Sequence, residues 1–211
     1  MRKWFPAALI AMAFGASAAV YKRLPARVPI HWNWHGQVDG WAGPLRAALL
    51  LPLVSLGVWL LMVALPRIDP RKENYAKFRG SYDLVIAATI TLLVAVHLMV
   101  LTAGLGVSMP IARLAPVAIG ALMLVLGNVL PRARPNWWFG IRTPWTLSND
   151  RVWERTHRVG GYLMTLAGVA VIMSALFTAP VARVAGIGAV LVASLVSYIY
   201  SYFAWKQETS R

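Results

Sequence analysis

Six stretches of about twenty apolar residues, separated by short polar segments, leave this chain few ways to fold. A helix rising about 1.5 Å per residue needs about 20 residues to cross about 30 Å of hydrocarbon. In lipid each backbone N–H and C=O must be paired within the membrane, which an isolated span achieves only as a helix. The stretches are Trp4–Val20, Leu45–Leu65, Tyr82–Ala103, Ala112–Leu130, Gly160–Thr178 and Val184–Trp205. Of 211 residues, 59% are apolar and 13% charged, with mean hydropathy +0.60, whereas a soluble domain carries about 25% charge. The expected fold is all-α, a polytopic membrane helix bundle of about six transmembrane helices. A small extracytoplasmic loop joins helices 1 and 2, and a longer cytoplasmic loop joins helices 4 and 5. Residues 1–66 form an N-terminal region with the first two helices, and residues 67–211 a four-helix region.

The formal charge of +14 does not point to direct nucleic-acid binding, because Lys and Arg sit in short segments between apolar runs. There they set topology and meet anionic headgroups. With the N-terminus inside, the cytoplasmic side holds 15 of the 21 basic residues: Arg2, Lys3, Arg67, Arg71, Lys72, Lys77, Arg79, Arg132, Arg134, Arg142, Arg151, Arg155, Arg158, Lys206 and Arg211. Lys22, Arg23, Arg27, Arg46, Arg113 and Arg183 fall on the other. This asymmetry predicts a cell-membrane protein with both termini cytoplasmic. Arg2-Lys3, the apolar run and Ala16-Ser17-Ala18 also fit a cleavable signal peptide, but Lys22-Arg23 close behind favours a retained anchor. The absence of cysteine excludes disulfides, thiol catalysis and cysteine metal clusters.

The first informative loop runs from Leu24 to Trp41. Pro25 and Pro29 favour extended chain before Ile30–Trp34, and Gly36 and Asp39-Gly40 are turn formers. His31 and Asn33, two apart, are expected on one strand face. His31, His35 and Asp39 are a metal-ligand set by type, but they lack a fourth ligand or a diagnostic spacing. The alternative is a folded cap with Trp32, Trp34 and Trp41 at headgroup level.

The second loop, Gly127–Arg158, is dense in Arg, Trp and Asn. Pro131, Pro135, Pro144 and Gly140 keep its first half out of regular helix. Ser148 is the expected N-cap of a helix with Asp150 in its first turn, on which Trp153, Thr156, His157 and Gly160 share a face. Arg and Trp are enriched where a surface meets a partner, and they also anchor interfacial segments on anionic lipid; both readings stand. No nucleophile–base pair, phosphate loop or HExxH occurs.

Elsewhere, Gly161, Gly168, Ser194, Ser197 and Ser201 have the spacing of close helix packing. His97 is an intramembrane ionisable group, hence a candidate proton or ligand contact, with a packing histidine as the alternative. It lies too far along its helix from Asp83 to pair with it. Asp83, four residues after Arg79, is placed for a helical ion pair.

The run Gly127-Asn128, Leu130-Pro131, Arg134-Pro135-Asn136, Gly140-Ile141-Arg142-Thr143-Pro144-Trp145-Thr146-Leu147, Trp153, Thr156-His157-Arg158 before a glycine resembles the signature of the SdpI family. Pro29, His31, Asn33, Gly36, Asp39, Gly40 and Trp41 are similar to a short domain of unknown function that often precedes it. In that family the best-understood member protects a producing cell from its own secreted toxic peptide and holds a transcriptional repressor at the membrane. The resemblance implies a multi-span receptor or immunity protein, and by itself it implies no toxin partner for this chain. The expected function is a non-enzymatic immunity or sensor protein, with a toxic peptide, a cytoplasmic repressor and anionic lipid as its expected partners. It needs no cofactor or metal. Its expected partner- or ligand-binding residues are His31, Asn33, Asp39, Trp41, Asn128, Arg134, Asn136, Arg142, Trp145, Trp153 and His157. A small transporter or exporter is the alternative, although buried polarity near the midplane is sparse. A membrane enzyme using His31, His35 and Asp39 comes third.

Overall fold

The computed structural model describes residues 4–177 and 180–210. Arg2, Lys3 and Arg211 of the basic flanks, and Thr178 at the expected end of the fifth span, lie outside the described residues.

Helix α1 (Phe5–Val20) has proline in its first turn, where no N–H is needed, and runs into a 3₁₀ turn at Tyr21–Arg23. Strands β1 (Val28–Trp32) and β2 (Val38–Ala42) form an antiparallel hairpin. They are followed by α2 (Pro44–Ile68), a short α3 (Asn74–Lys77), α4 (Arg79–Gly104), α5 (Ile111–Val129), a short α6 (Pro144–Ser148), α7 (Asp150–Ser174) and α8 (Pro180–Thr209). Among the described residues five helical segments are long and apolar enough to cross a membrane: Phe5–Arg23, Pro44–Ile68, Arg79–Gly104, Ile111–Arg132 and Val181–Thr209. The chain is a multi-pass helical membrane protein. The fifth expected span, Gly160–Thr178, corresponds to α7, which does not join these five. Asp150, Arg151, Glu154, Arg155, His157 and Arg158 occupy its first turns, and only the portion from Val159 onward is apolar.

The chain divides into two compact units, residues 1–62 with 86–115 and residues 63–85 with 116–211. One boundary falls at Pro116, which sits inside α5 and cannot donate the helical hydrogen bond.

In the first unit the hairpin is seated by Val28, which packs with Ala47 and Val100 and is flanked by Leu24, Ile30, Trp32 and Leu51. The strand begins two residues earlier than expected and ends at Trp32, so Asn33 belongs to the turn. Asp39-Gly40, expected as a turn, lies inside β2. Gly40 stands opposite His31 in the register, where an added Cβ would come within 2.7 Å of the His31 Cβ. Glycine is required there by close approach, not by turning. The true turn glycine is Gly36, at φ +80°.

In the second unit α5 and α7 meet through two pairs of glycines seven residues apart. A Cβ on Gly120 would lie 2.7 Å from the Gly168 carbonyl oxygen, and one on Gly161 would lie 2.7 Å from the Gly127 carbonyl oxygen. Lipid supplies no hydrophobic drive for helices to associate, so backbone approach at small residues and van der Waals contact must do so. The expected packing role of Gly161 and Gly168 is thereby realised. Met123, Ala167, Val171 and Ala193 fill the contact among α5, α7 and α8. Ser197 and Ser201 are buried as expected, but Ser194 is exposed.

Candidate functional site

The expected site residues divide between the hairpin and the 130–158 segment, each within its own unit. On the hairpin, the His31 Nδ1 and Asp39 Oδ1 atoms are 2.5 Å apart, with side chains 70% and 44% exposed. At that exposure the pair adds well under 1 kcal/mol to stability, so it is available to a ligand at little structural cost. Trp41 is exposed and carries the Arg27 guanidinium 5.6 Å from its ring centroid. Asn33 does not share a strand face with His31. Its Oδ1 accepts the backbone N–H groups of His35 and Gln37 at 2.9 and 3.0 Å, which shapes the turn. His35 packs edge-on against Trp34, and among the described residues no three His, Cys, Asp or Glu side chains are grouped to hold a metal ion.

In the second unit the expected residues separate into an interior set and an exposed set. Asn136 is fully buried. Its Oδ1 accepts the N–H groups of Trp138 and Phe139 at 2.9 and 2.7 Å and the Tyr75 hydroxyl at 3.1 Å, while its Nδ2 donates to the carbonyls of Arg134 and Phe139 at 2.8 and 2.9 Å. Trp153 is also fully buried and donates from Nε1 to the Ala133 carbonyl at 2.8 Å. Asn128, Arg134 and Arg142 are exposed. Arg142 Nη1 donates to the Trp137 carbonyl at 2.8 Å, and Arg134 pairs with Glu154 at 2.7 Å. Trp145, half-buried, lies edge-on to Tyr198 and Tyr202 of α8. Exposed Trp137 and Trp138 complete the outer face.

The segment is fixed at its end by two caps. Thr143 and Thr146 form a reciprocal capping box for α6. Asn149, with extended backbone and its side chain accepting the N–H groups of Arg151 and Val152, caps α7. The cap is thus one residue after the expected Ser148, because Ser148 closes α6; Asp150 does stand in the first turn.

Residues 132–201 match the SdpI/YfhL protein family. That match spans 70 of the 211 residues. Residues 8–56, which hold α1 and the hairpin, match a domain of unknown function, DUF1648. The chain is 26% identical over 199 residues to the protein named immunity protein SdpI of Bacillus subtilis (strain 168), covering 94% of this chain and 93% of that one. No solved structure matches the chain.

The matched region holds a buried histidine. His157 is fully buried, stacked on Trp153 at 4.0 Å between ring centroids. Its Nε2 accepts the Ile141 N–H at 2.9 Å, which leaves Nδ1 to donate to the Trp153 carbonyl at 2.9 Å. Gly140, at φ +113°, lies directly against Nε2, and a Cβ there would collide with it. Burial lowers the His157 pKa from 6.5 to about 4, the bond to Trp153 opposing only in part. The unfolded chain therefore binds the proton first as pH falls. Stability is fully present above pH 6.5 and is lost on acidification toward pH 4, by about 3 kcal/mol for this group. Thermal unfolding in micelles should show that loss in the wild type and a flatter acid limb in His157→Gln. Equal acid limbs in the two proteins would remove His157 as the cause.

Sequence reasoning passed over Asp69 and Tyr75, both buried. The Tyr75 hydroxyl shares its one proton between Asn136 Oδ1 and the Asp69 carboxyl, 3.0 Å away, and that carboxyl also accepts the N–H groups of Trp137 and Arg71 at 2.9 and 2.7 Å. Burial and the bond to Asp69 push the Tyr75 pKa well up, so its hydroxyl remains a donor. Asn74 donates to the Pro135 carbonyl, and Arg71 reaches Asp150 and the Leu147 carbonyl. The signal was an internal repeat: Leu-Pro-Arg-x-x-Pro occurs at Leu65–Pro70, across the end of α2, and again at Leu130–Pro135, directly after α5. These bonds brace residues 69–75, at and after the first copy, against residues 135–150, at and after the second.

Proposed function

We propose that this protein is a non-enzymatic immunity and sensor protein of the cell membrane, binding a membrane-active toxic peptide and passing its presence to a cytoplasmic transcriptional repressor. One observation carries the reading: the likeness to a protein named for immunity runs over nearly all of both chains, so it takes in the hairpin and the SdpI-family region together. In this reading the hairpin faces outward, and the peptide meets the His31–Asp39 pair with Trp34 and Trp41, whose indoles combine apolar area with a polar handle. The 130–158 segment and both termini face the cytoplasm, as the basic asymmetry favours. There the exposed Trp137, Trp138, Arg132 and Arg142 offer the repressor an Arg–Trp surface and rest on anionic headgroups.

The test is expression in a host sensitive to such peptides. Survival on challenge should rise, and His31→Ala with Asp39→Ala should return it toward the level of the empty host at unchanged membrane abundance. Survival unaltered by expression across a panel of membrane-active peptides would end the immunity reading.

A further inference from the structure

We propose that His97 is a proton-binding latch fastening α1 to α2 and α4. His97 is fully buried, and so is Ser17 of α1 apart from 3% of its surface. The Ser17 hydroxyl donates to the Ala48 carbonyl of α2 at 2.7 Å and lies 2.8 Å from His97 Nε2. A hydroxyl has one proton to give, so in the second contact the imidazole is the donor. That fixes a neutral ring with its proton on Nε2 and leaves Nδ1 a bare acceptor. Nδ1 is buried and has no partner in hydrogen-bond geometry, and the polar group of α1 that faces the ring is the Ala13 carbonyl, one turn before Ser17, an acceptor with which a neutral Nδ1 cannot pair. A buried polar atom left without a partner in the middle of a membrane helix calls for a functional account.

A second ring proton would place a cation where no carboxylate balances it and only the dipole of the Ala13 carbonyl opposes its burial. α1 has no ionisable side chain, α2 has only Arg46 and Arg67, and α4 has besides His97 only Arg79, Tyr82 and Asp83. Asp83, fourteen residues away, is about 21 Å along the helix and pairs with Arg79. In the segment after α1 the ionisable groups are Lys22, Arg23, Arg27, His31, His35 and Asp39, and the carboxyl among them is held by His31. Proton uptake thus favours the arrangement in which water reaches the ring and α1 lets go. The latch also borders the seat of the hairpin. Ala47 and Val100, which hold Val28, are one residue from Ala48 and three from His97. Release of α1 loosens the strand that carries His31.

The cysteine-free chain allows a direct test. Nitroxide labels on Met12→Cys and Leu60→Cys, both exposed positions on α1 and α2, report the distance between these helices by pulsed electron paramagnetic resonance in lipid vesicles. At a pH of about 7.5 the wild type should give one distance, and at about 5 a second, longer population. His97→Gln, which cannot take the proton, should give one distance at both values. Ser17→Ala should show the longer population at both. A wild-type distribution that does not change with pH, or a His97→Gln distribution that changes as the wild type does, overturns the proposal.

Discussion

Asn136→Leu is expected to lose about 4 kcal/mol of stability while still inserting in the membrane. Leucine keeps most of the volume but supplies none of the five hydrogen bonds this side chain makes with the Trp138 and Phe139 N–H groups, the Tyr75 hydroxyl and the Arg134 and Phe139 carbonyls. Each polar group left buried and unpaired costs about 1–3 kcal/mol, with part recovered where water enters. The measurement is the unfolding midpoint of purified protein in micelles. Asn136→Asp, which keeps the acceptor oxygen and loses the Nδ2 donors, should fall between wild type and Asn136→Leu. A loss under about 1 kcal/mol in Asn136→Leu would mean that the segment is ordered by other contacts, and the residue would return to the list of partner contacts.

Gly161→Val should cost at least about 3 kcal/mol, because the obstacle is backbone that cannot rotate away. The new Cβ would lie 2.7 Å from the Gly127 carbonyl oxygen and from Pro131 Cγ, so α5 and α7 must part along their whole glycine contact. Gly57→Val is the control: Gly57 lies in α2 and has nothing within 4 Å of an added Cβ. It should stay within about 0.5 kcal/mol of wild type. Similar losses for both would show that valine's effect on helix backbone, and not the α5–α7 approach, is being measured.

These two residues show what the sequence could and could not disclose. Helices were legible because a membrane makes apolar length nearly sufficient for a helix, and Gly161 and Gly168 were legible because small residues at helical spacing have one common use in lipid. The α7 cap was missed by one position, since Ser148 and Asn149 are both good caps and only the end of α6 decides between them. Asp39-Gly40 looked like a turn because its local chemistry is that of a turn; the reason for glycine there is His31 on the other strand. Asn136, Trp153 and His157 were picked out by residue type and by the run they stand in. Neither distinguishes a side chain that meets a partner from one that holds together the loop presenting others. Asp69 and Tyr75 lay among residues whose charge already had a topological explanation, and their role depends on contacts to a segment more than sixty residues away.

The bracing of residues 69–75 against residues 135–150 bears on how this protein can be recombined. Residues 132–201, the portion that matches the SdpI/YfhL family, depend on Asp69 for the Trp137 N–H, on Asn74 for the Pro135 carbonyl and on Arg71 at Asp150. A chimera that exchanged this portion alone between relatives would inherit a loop folded against a foreign template. A graft that carried residues 63–85 with it would bring both halves of the brace. Lineages that shuffle the hairpin region freely are therefore expected to have kept these two distant segments together.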